Sequence, residues 1–279
     1  MPELPEAETI ARCLHRRLRG VRIERVRHVR ADMVRGGSAR ALRRALRDRR
    51  IVGVTRRGKR VIIECAPAGR LIFALGMTGH PHVVTARSAP SVHVHLRIVL
   101  DDGGQELRLR DARRFGWIEW LVGPNGSNGS SGSLDGLGIE PLDMTLRRFR
   151  AVVARPRQIK ALLLDQTLVA GLGNIYCDEA LYRSRIHPMT RACDLTPDEV
   201  ARLCGSIKGV LRAAIQSNGS TIGSYARPDG GPGSFQKQHR VYGRTGLACP
   251  RCGARIVRIL AAGRSSHLCP HCQPPARRG

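Results

Sequence analysis

The chain has 279 residues and a mass of 30.6 kDa, enough for about two domains with their own cores. Hydrophobic residues make up 42% and charged residues 25%; these globular proportions exclude wholesale disorder, and no apolar run approaches the ~20 residues of a membrane span. The charge does not balance: 48 Lys+Arg face 22 Asp+Glu for a net +26, which points to a polyanionic partner, first of all nucleic acid.

Only four of the 48 cations are lysines, Lys59, Lys160, Lys208 and Lys237. The rest are guanidinium groups, planar forks that match phosphate oxygens two at a time. The start, Met1-Pro2-Glu3-Leu4-Pro5-Glu6, lacks the basic and apolar stretches of a signal peptide. A reducing cytoplasm is therefore expected, where disulfides are rare. Cys13, Cys65, Cys177, Cys193 and Cys204 then read as small buried hydrophobes.

In chain order, Pro5 to Leu18 reads as a helix. Proline suits its first turn, Glu6 and Glu8 complement the positive end, Ile10, Leu14 and Leu18 recur at helical spacing, and Gly20 stops it. From Val21 to Trp120 the period changes to two, with short apolar runs at Ile51–Val54, Val61–Ile63, Leu71–Leu75, Val92–Leu100 and Glu106–Leu109 between Gly, Pro and Asp turns. So many short strands predict a β-sandwich. Residues 123–136 hold nine Gly or Ser in fourteen positions, a loop with no capacity to form a core. Helices follow at Leu146–Arg155, Ile159–Gln166, Asn174–Ser184 and Pro197–Gln216. A Gly/Pro-rich loop runs from Gly223 to Gly233, and the last 43 residues carry nine Lys or Arg and no acid.

Three features carry chemistry. Cys249-Pro-Arg-Cys252 and Cys269-Pro-His-Cys272 flank sixteen residues, a spacing that supplies four thiolates to a closed tetrahedral zinc shell, with an iron–sulfur cluster as the competing reading. Two short strands with a turn near Ala262-Gly263 fit between the knuckles, and Arg264 stands at the tip. Helix, double turn and helix follow from Ile159 to Tyr182; free N–H groups and the dipole at Asn174 favour a phosphate there, although an ordinary glycine turn has the same pattern. Finally, trimming of Met1 exposes Pro2 as a secondary amine. An α-amino group is partly neutral at pH 7, so it can attack a sugar C1′ and collapse to an iminium, with Glu3 beside it to carry protons.

These features occur in order with Leu75-Gly-Met77-Thr-Gly79, Arg113-Arg114-Phe115-Gly116, Gly171-Leu-Gly-Asn174-Ile-Tyr and Val241-Tyr-Gly-Arg244. Together they resemble the formamidopyrimidine-DNA glycosylase and endonuclease VIII family along essentially the whole chain. The resemblance implies an α+β multidomain fold: an N-terminal β-sandwich with one helix (2–122), a linker (123–142), a helical domain with a helix–two-turn–helix and a base-capping loop (143–236), and a zinc hairpin (237–279). It also implies base-excision repair of damaged double-stranded DNA by a monomeric glycosylase and abasic-site lyase, cytoplasmic and nucleoid-associated in a bacterium, with one structural Zn2+ on Cys249, Cys252, Cys269 and Cys272.

By residue, the resemblance makes Pro2 the Schiff-base nucleophile, Glu3 the acid/base, Lys59 a participant in β-elimination and Arg264 in δ-elimination. His93, Arg113, Arg155 and Asn174 are implied DNA contacts. Met77, Arg113 and Phe115 are implied fillers of the hole left by an extruded base, for which an apolar wedge recovers stacking. Arginine can give two donors to an orphaned cytosine, which favours lesions opposite C and hence 8-oxoguanine and formamidopyrimidines. The sequence departs from the family pattern at Ala112, at Ile139 and at His80-Pro81-His82. Three other readings stand beside this one: an endonuclease VIII-like preference for oxidised pyrimidines, a zinc-bearing DNA binder whose catalysis has lapsed, and an N-terminal-proline tautomerase.

Overall fold

The computed structural model describes residues 2–101, 104–123, 133–223 and 225–275. Most of the Gly/Ser-rich stretch, residues 124–132, lies outside them. The chain forms two compact units, Met1–Gly136 with Asn218–Gly233, and Leu137–Ser217 with Ser234–Gly279. The stretch 143–236 is thus not one continuous piece, because residues 218–233 pack with the first unit.

The first unit opens on α1 (Leu4–Leu18). Glu3 is its N-cap, Pro5 lies in its first turn, and Glu3 and Glu6 close a reciprocal capping box. The strands are β1 (Ile23–Val29), β2 (Val34–Arg35), β3 (Arg50–Arg57), β4 (Arg60–Ala66), β5 (Gly69–Ala74), β6 (His80–Thr85), β7 (Val94–Leu100), β8 (Gln105–Arg110) and β9 (Trp117–Val122). They form a four-stranded sheet in the order β1-β7-β8-β6 and a five-stranded sheet in the order β2-β9-β5-β4-β3. Alternation fixes what each face covers: Val61, Ile63 and Cys65 of β4 join the core with Ile10, Leu14 and Leu18 of α1, whereas Ile62 lies in a separate cluster with Ile72, Trp117 and Leu121. The guanidinium groups of Arg35 and Arg60 lie 4.5 and 4.9 Å over the Trp117 ring, so cations cover that second cluster. Gly69 is required by packing, because a Cβ there would sit 2.2 Å from the Trp120 ring.

The structure adds a second helix, α2 (Ala39–Leu46), started by Ser38, whose hydroxyl accepts the Ala41 N–H. It also moves one boundary. The apolar run read from Val92 to Leu100 starts later in the structure, at Val94, and Val92 is 91% exposed in a turn. A register shift between Val94 and Leu96 puts His95 inside, where its Nε2 meets the Asp111 carbonyl at 2.9 Å.

The second unit contains α3 (Leu146–Val153), α4 (Ile159–Leu164), α5 (Asn174–Ser184), α6 (Pro197–Gln216) and the hairpin of β10 (Val257–Ala261) and β11 (Arg264–Leu268). α6 begins at a capping box between Thr196 and Glu199, and α5 ends on Arg185 in the left-handed region, φ 60°. Gly138 passes within 2.2 Å, by its absent Cβ, of the Leu168 backbone. That closeness lets Gly138 and Ile139 donate to the Gln166 and Leu168 carbonyls. No helix among the described residues is long and apolar enough to cross a membrane.

His239 of this unit is buried between the rings of Phe235 and Tyr242. Burial lowers its pKa to about 4. The unfolded chain takes up that proton near pH 6.5 while the folded unit does not, so stability is lost as the pH falls from about 6.5 to 4. The expected loss is about 3 kcal/mol. Urea midpoints of wild type and His239→Gln, compared across that range, should converge towards pH 4; parallel curves would remove His239 as the cause.

Candidate functional site

Pro2 and Glu3 are both buried, Glu3 to 1% exposure. The Glu3 N–H donates to Glu6 Oε2 at 2.8 Å. Glu6 Oε1 accepts the Ser220 N–H at 2.7 Å, and Gly219, φ +79°, leaves no room for a Cβ against that carboxylate. A first-turn acid that sequence reasoning assigned to the helix dipole therefore also anchors the segment 218–233. Pro2, Met77, Thr78, Gly79, His80 and Tyr225 line one small cavity of about 10 Å³.

Met77 and the pair Arg113/Phe115 come from two loops that are joined. The Thr78 hydroxyl donates to Asp111 Oδ1, Asp111 Oδ2 accepts the Gly116 N–H at 2.8 Å, and the Arg113 N–H donates to Thr78 Oγ1 at 3.0 Å. Gly76, φ +55°, is pressed against the Phe115 backbone, where a Cβ would lie 2.6 Å away. Arg113 stacks its guanidinium 4.8 Å over the Phe115 ring, and Phe115 is 56% exposed. Asp111, the buried carboxylate that organises both loops, carries no signal in the sequence beyond its place two residues before Arg113.

His93 is exposed in the turn before β7, its carbonyl accepting the Asp111 N–H. Lys59 sits in the two-residue turn between β3 and β4 after Gly58, φ +56°. Arg56 ties that turn to α1, donating to Glu8 Oε2 at 2.9 Å and to the Gly58 carbonyl at 3.1 Å. Burial opposes the charge on Glu8, but Arg56 and Arg12 hold its carboxyl below the usual range.

In the second unit the helix–two-turn–helix grips the hairpin. Lys160, fully buried, donates to Asp178 Oδ1 at 2.5 Å, to Ser266 Oγ at 2.6 Å and to the Ser265 carbonyl at 3.2 Å. Asn174 Nδ2 donates to the same carbonyl at 2.8 Å, and Asp178 Oδ2 accepts the His267 N–H at 2.9 Å. Arg264 immediately precedes these residues. The turn behind it has positive φ at both Ala262 (53°) and Gly263 (66°), the geometry of a tight type I′ hairpin. Arg264 itself is exposed, beside a shallow depression shared with Arg157 and Asp165. Gln166 shapes the double turn, accepting from Gly171 N–H and donating to the Leu164 and Leu172 carbonyls. Asn174 Oδ1 is buried at the start of α5 without a hydrogen-bond partner; being an acceptor, it cannot itself bind a phosphate oxygen. Arg155 caps α3 through the Ala151 and Val152 carbonyls.

Lys160 and Asp178 form the charged pair that sequence reasoning did not single out; a lysine between apolar neighbours on a helix reads as solvated. Lys160→Met should destabilise this unit by about 3–5 kcal/mol, since it leaves Asp178 charged and buried. Lys160→Met with Asp178→Leu should recover most of the loss in urea unfolding. A double variant no better than the single would show that the pair is not coupled.

The four cysteine sulfurs lie within 4.8 Å of one another. Their separations are 3.9 Å for Cys249–Cys272 and 3.5 Å for Cys252–Cys269 and Cys252–Cys272. Four ligands at about 2.3 Å around a tetrahedral ion are about 3.8 Å apart, so the donor set fits one metal ion. Arg251 and Cys272 N–H groups donate to Cys249 and Cys269 sulfurs at 3.4 Å, and Tyr182 Oη is 3.3 Å from Cys249 Sγ. Glu179, buried and pushed up in pKa by burial, accepts the N–H groups of Arg240, Val241 and Tyr242 at 2.9–3.0 Å, which fixes the chain leading into the first knuckle.

Comparison with known proteins bears on the whole length. The family profiles "Formamidopyrimidine-DNA glycosylase N-terminal domain", "Formamidopyrimidine-DNA glycosylase H2TH domain" and "Zinc finger found in FPG and IleRS" match residues 1–118, 137–226 and 246–275. Curated formamidopyrimidine-DNA glycosylases from Pelotomaculum thermopropionicum and Thermus thermophilus are 40% and 41% identical, each match spanning 98% of this chain and 99% and 98% of the relative. The structure of Lactococcus lactis Fpg in complex with DNA containing an abasic site superposes with a TM-score of 0.89 at 36% identity, covering 98% of this chain and 99% of that one. A complex of the same protein with Fapy-dG DNA gives 0.88.

Proposed function

Because the chain belongs to the formamidopyrimidine-DNA glycosylase family, and is thus a DNA-binding glycosylase and abasic-site lyase of base-excision repair, we propose that it removes oxidised purines, 8-oxoguanine opposite cytosine and formamidopyrimidines, through its N-terminal proline. The observation that carries this reading is the buried Pro2-Glu3 start of α1, facing a cavity shared with Met77 and Tyr225.

After removal of Met1, the Pro2 nitrogen attacks C1′, the bond from C1′ to the base breaks, and the opened deoxyribose is held as an iminium. Glu3 carries the proton needed for ring opening. Loss of a C2′ proton expels the 3′ phosphate, and a second elimination expels the 5′ phosphate, with Lys59 and Arg264 serving these steps and the flanking phosphates. Met77, Arg113 and Phe115 fill the vacated stack, Arg113 with donors for the orphaned cytosine. Asn174, Arg155 and His93 contact the backbone. Cys249, Cys252, Cys269 and Cys272 hold one zinc ion, which supplies the fold of the hairpin and no step of the chemistry. The exposed Arg113 and Phe115 favour this reading over an oxidised-pyrimidine preference.

Glu3→Gln tests the acid/base assignment. Base release from 8-oxoguanine:C duplex should fall steeply, since an amide cannot carry the proton, whereas a pre-formed abasic site should still be cut at a rate nearer wild type. Equal losses on both substrates would point to misfolding of the capping box instead. Faster release opposite adenine than opposite cytosine in the wild type would count against the role of Arg113.

A further inference from the structure

The second unit carries a trough of about 470 Å³ that no step of the proposed reaction uses. Its floor is apolar, made by Val210 and Ala213 of α6 with Phe235 and Pro250. Arg183 of α5, Arg240 and Arg251 stand around it, all three exposed. Among the described residues none of the three has an ion-pair partner. The acid at the trough, Glu179, is already engaged: its oxygens accept the N–H groups of Arg240, Val241 and Tyr242, and burial holds its pKa up. Three uncompensated guanidinium charges thus ring an apolar floor.

Two of these cations are held in place. Arg251 sets its guanidinium 4.6 Å over the Tyr182 ring and donates to the Tyr182 carbonyl at 3.4 Å. Arg183 rests on α6 at Gly209, where an added Cβ would meet Nη1, Cζ and Nη2 at 3.0, 3.2 and 3.3 Å. Such even distances mean that the guanidinium lies face-on against the helix. Glycine inside a helix is unfavourable relative to alanine, and here it makes the room that Arg183 occupies. Arg183 stands nine residues beyond Asn174 on α5, about 13 Å along the axis. The trough is therefore at the other end of α5 from the one expected to meet a DNA phosphate.

Fixed guanidinium groups without a partner suit carboxylates, which they bind two donors at a time. The apolar floor between them suits one large side chain, a feature that a phosphodiester strand would leave unused. The trough is open to solvent, as a groove for an extended chain is, whereas a small-molecule site buries most of its ligand. We propose that this trough is a docking site for an acidic peptide segment of a partner protein. Its carboxylates meet Arg183, Arg240 and Arg251, and one branched or aromatic side chain packs against Ala213 and Phe235. The site stands apart from the chemistry at Pro2 and does not depend on that reading.

Fluorescence anisotropy on the metal-loaded full chain tests this, with a labelled, blocked peptide of two aspartates, a leucine and two aspartates as the probe. Wild type should bind it saturably, and should bind the same peptide with glycine for leucine about tenfold more weakly. Arg183→Ser should weaken the leucine peptide by about tenfold, the effect of one charge-assisted hydrogen bond. Ala213→Leu raises the floor and leaves every charge in place, so it should bring the leucine peptide down to the level of the glycine one. Both variants should cut abasic-site DNA at the wild-type rate. Absence of saturable binding by wild type overturns the proposal. So does equal binding of the two peptides, which is bulk attraction between opposite charges. A loss of DNA affinity in Arg183→Ser as large as its loss of peptide affinity also overturns it, because the arginines then belong to DNA.

Discussion

Borohydride added during turnover of DNA carrying 8-oxoguanine opposite cytosine should leave a stable protein–DNA adduct, and peptide mapping should place it on Pro2. Reduction converts the C=N bond of an iminium to an amine that cannot hydrolyse, so the adduct marks whichever nitrogen attacked C1′. A lysine is mostly an ammonium at pH 7 and attacks poorly unless its pKa is strongly lowered. Retention of Met1 should reduce trapping to background, because the Pro2 nitrogen is then an amide whose lone pair is delocalised. An adduct found chiefly on Lys59, or wild-type trapping by a Met1-retaining form, would falsify the proline mechanism and leave DNA binding untouched.

Removal of the metal should abolish strand cleavage with comparable force. Besides the polar grip of α4 and α5, the hairpin has only a small apolar cluster, Tyr182, Val241, Ile256 and Leu268 with the cysteines. Zinc binding in small four-ligand modules supplies on the order of 10 kcal/mol to folding, far more than that cluster can. Cys269→Ser or exhaustive chelation should therefore unfold β10 and β11 and release Arg264 from its setting, while the first unit, with its own core, keeps its strand circular dichroism. Arg264→Ala should lose activity with its metal retained. Full strand cutting by protein shown to be metal-free would remove the hairpin from the reaction.

Legibility in the sequence followed the physics of each signal. The bounds of α5 and α6 were readable because strong punctuation marks them, the double-glycine turn before Asn174 and Thr196-Pro197 with Glu199 three residues past the cap. Helix α2 was not, since ARALRRAL is short and arginine-rich and its apolar face is only Leu42 and Leu46. The His93–His95 region misled because a bulge resets the alternation, and period counting cannot see a bulge. The four cysteines declared themselves by spacing alone. Glu6, Asp111, Lys160, Asp178 and Glu179 did not: a charged residue looks solvated in one dimension, and its burial is decided by partners between 5 and 214 residues away.

The grip of Lys160, Asn174 and Asp178 on Ser265, Ser266 and His267 bears on how portable the hairpin is. A profile shared between FPG and IleRS covers it, so the metal knuckle is a reusable part. Its socket, however, is supplied by α4 and α5, elements encoded some ninety to a hundred residues earlier. Residues 246–275 grafted onto a foreign scaffold should carry their metal with them and lose the aim of Arg264. Exchange between lineages would then succeed only when the socket travels with the hairpin, and the three socket residues together with the two serines that answer them form the natural unit of inheritance.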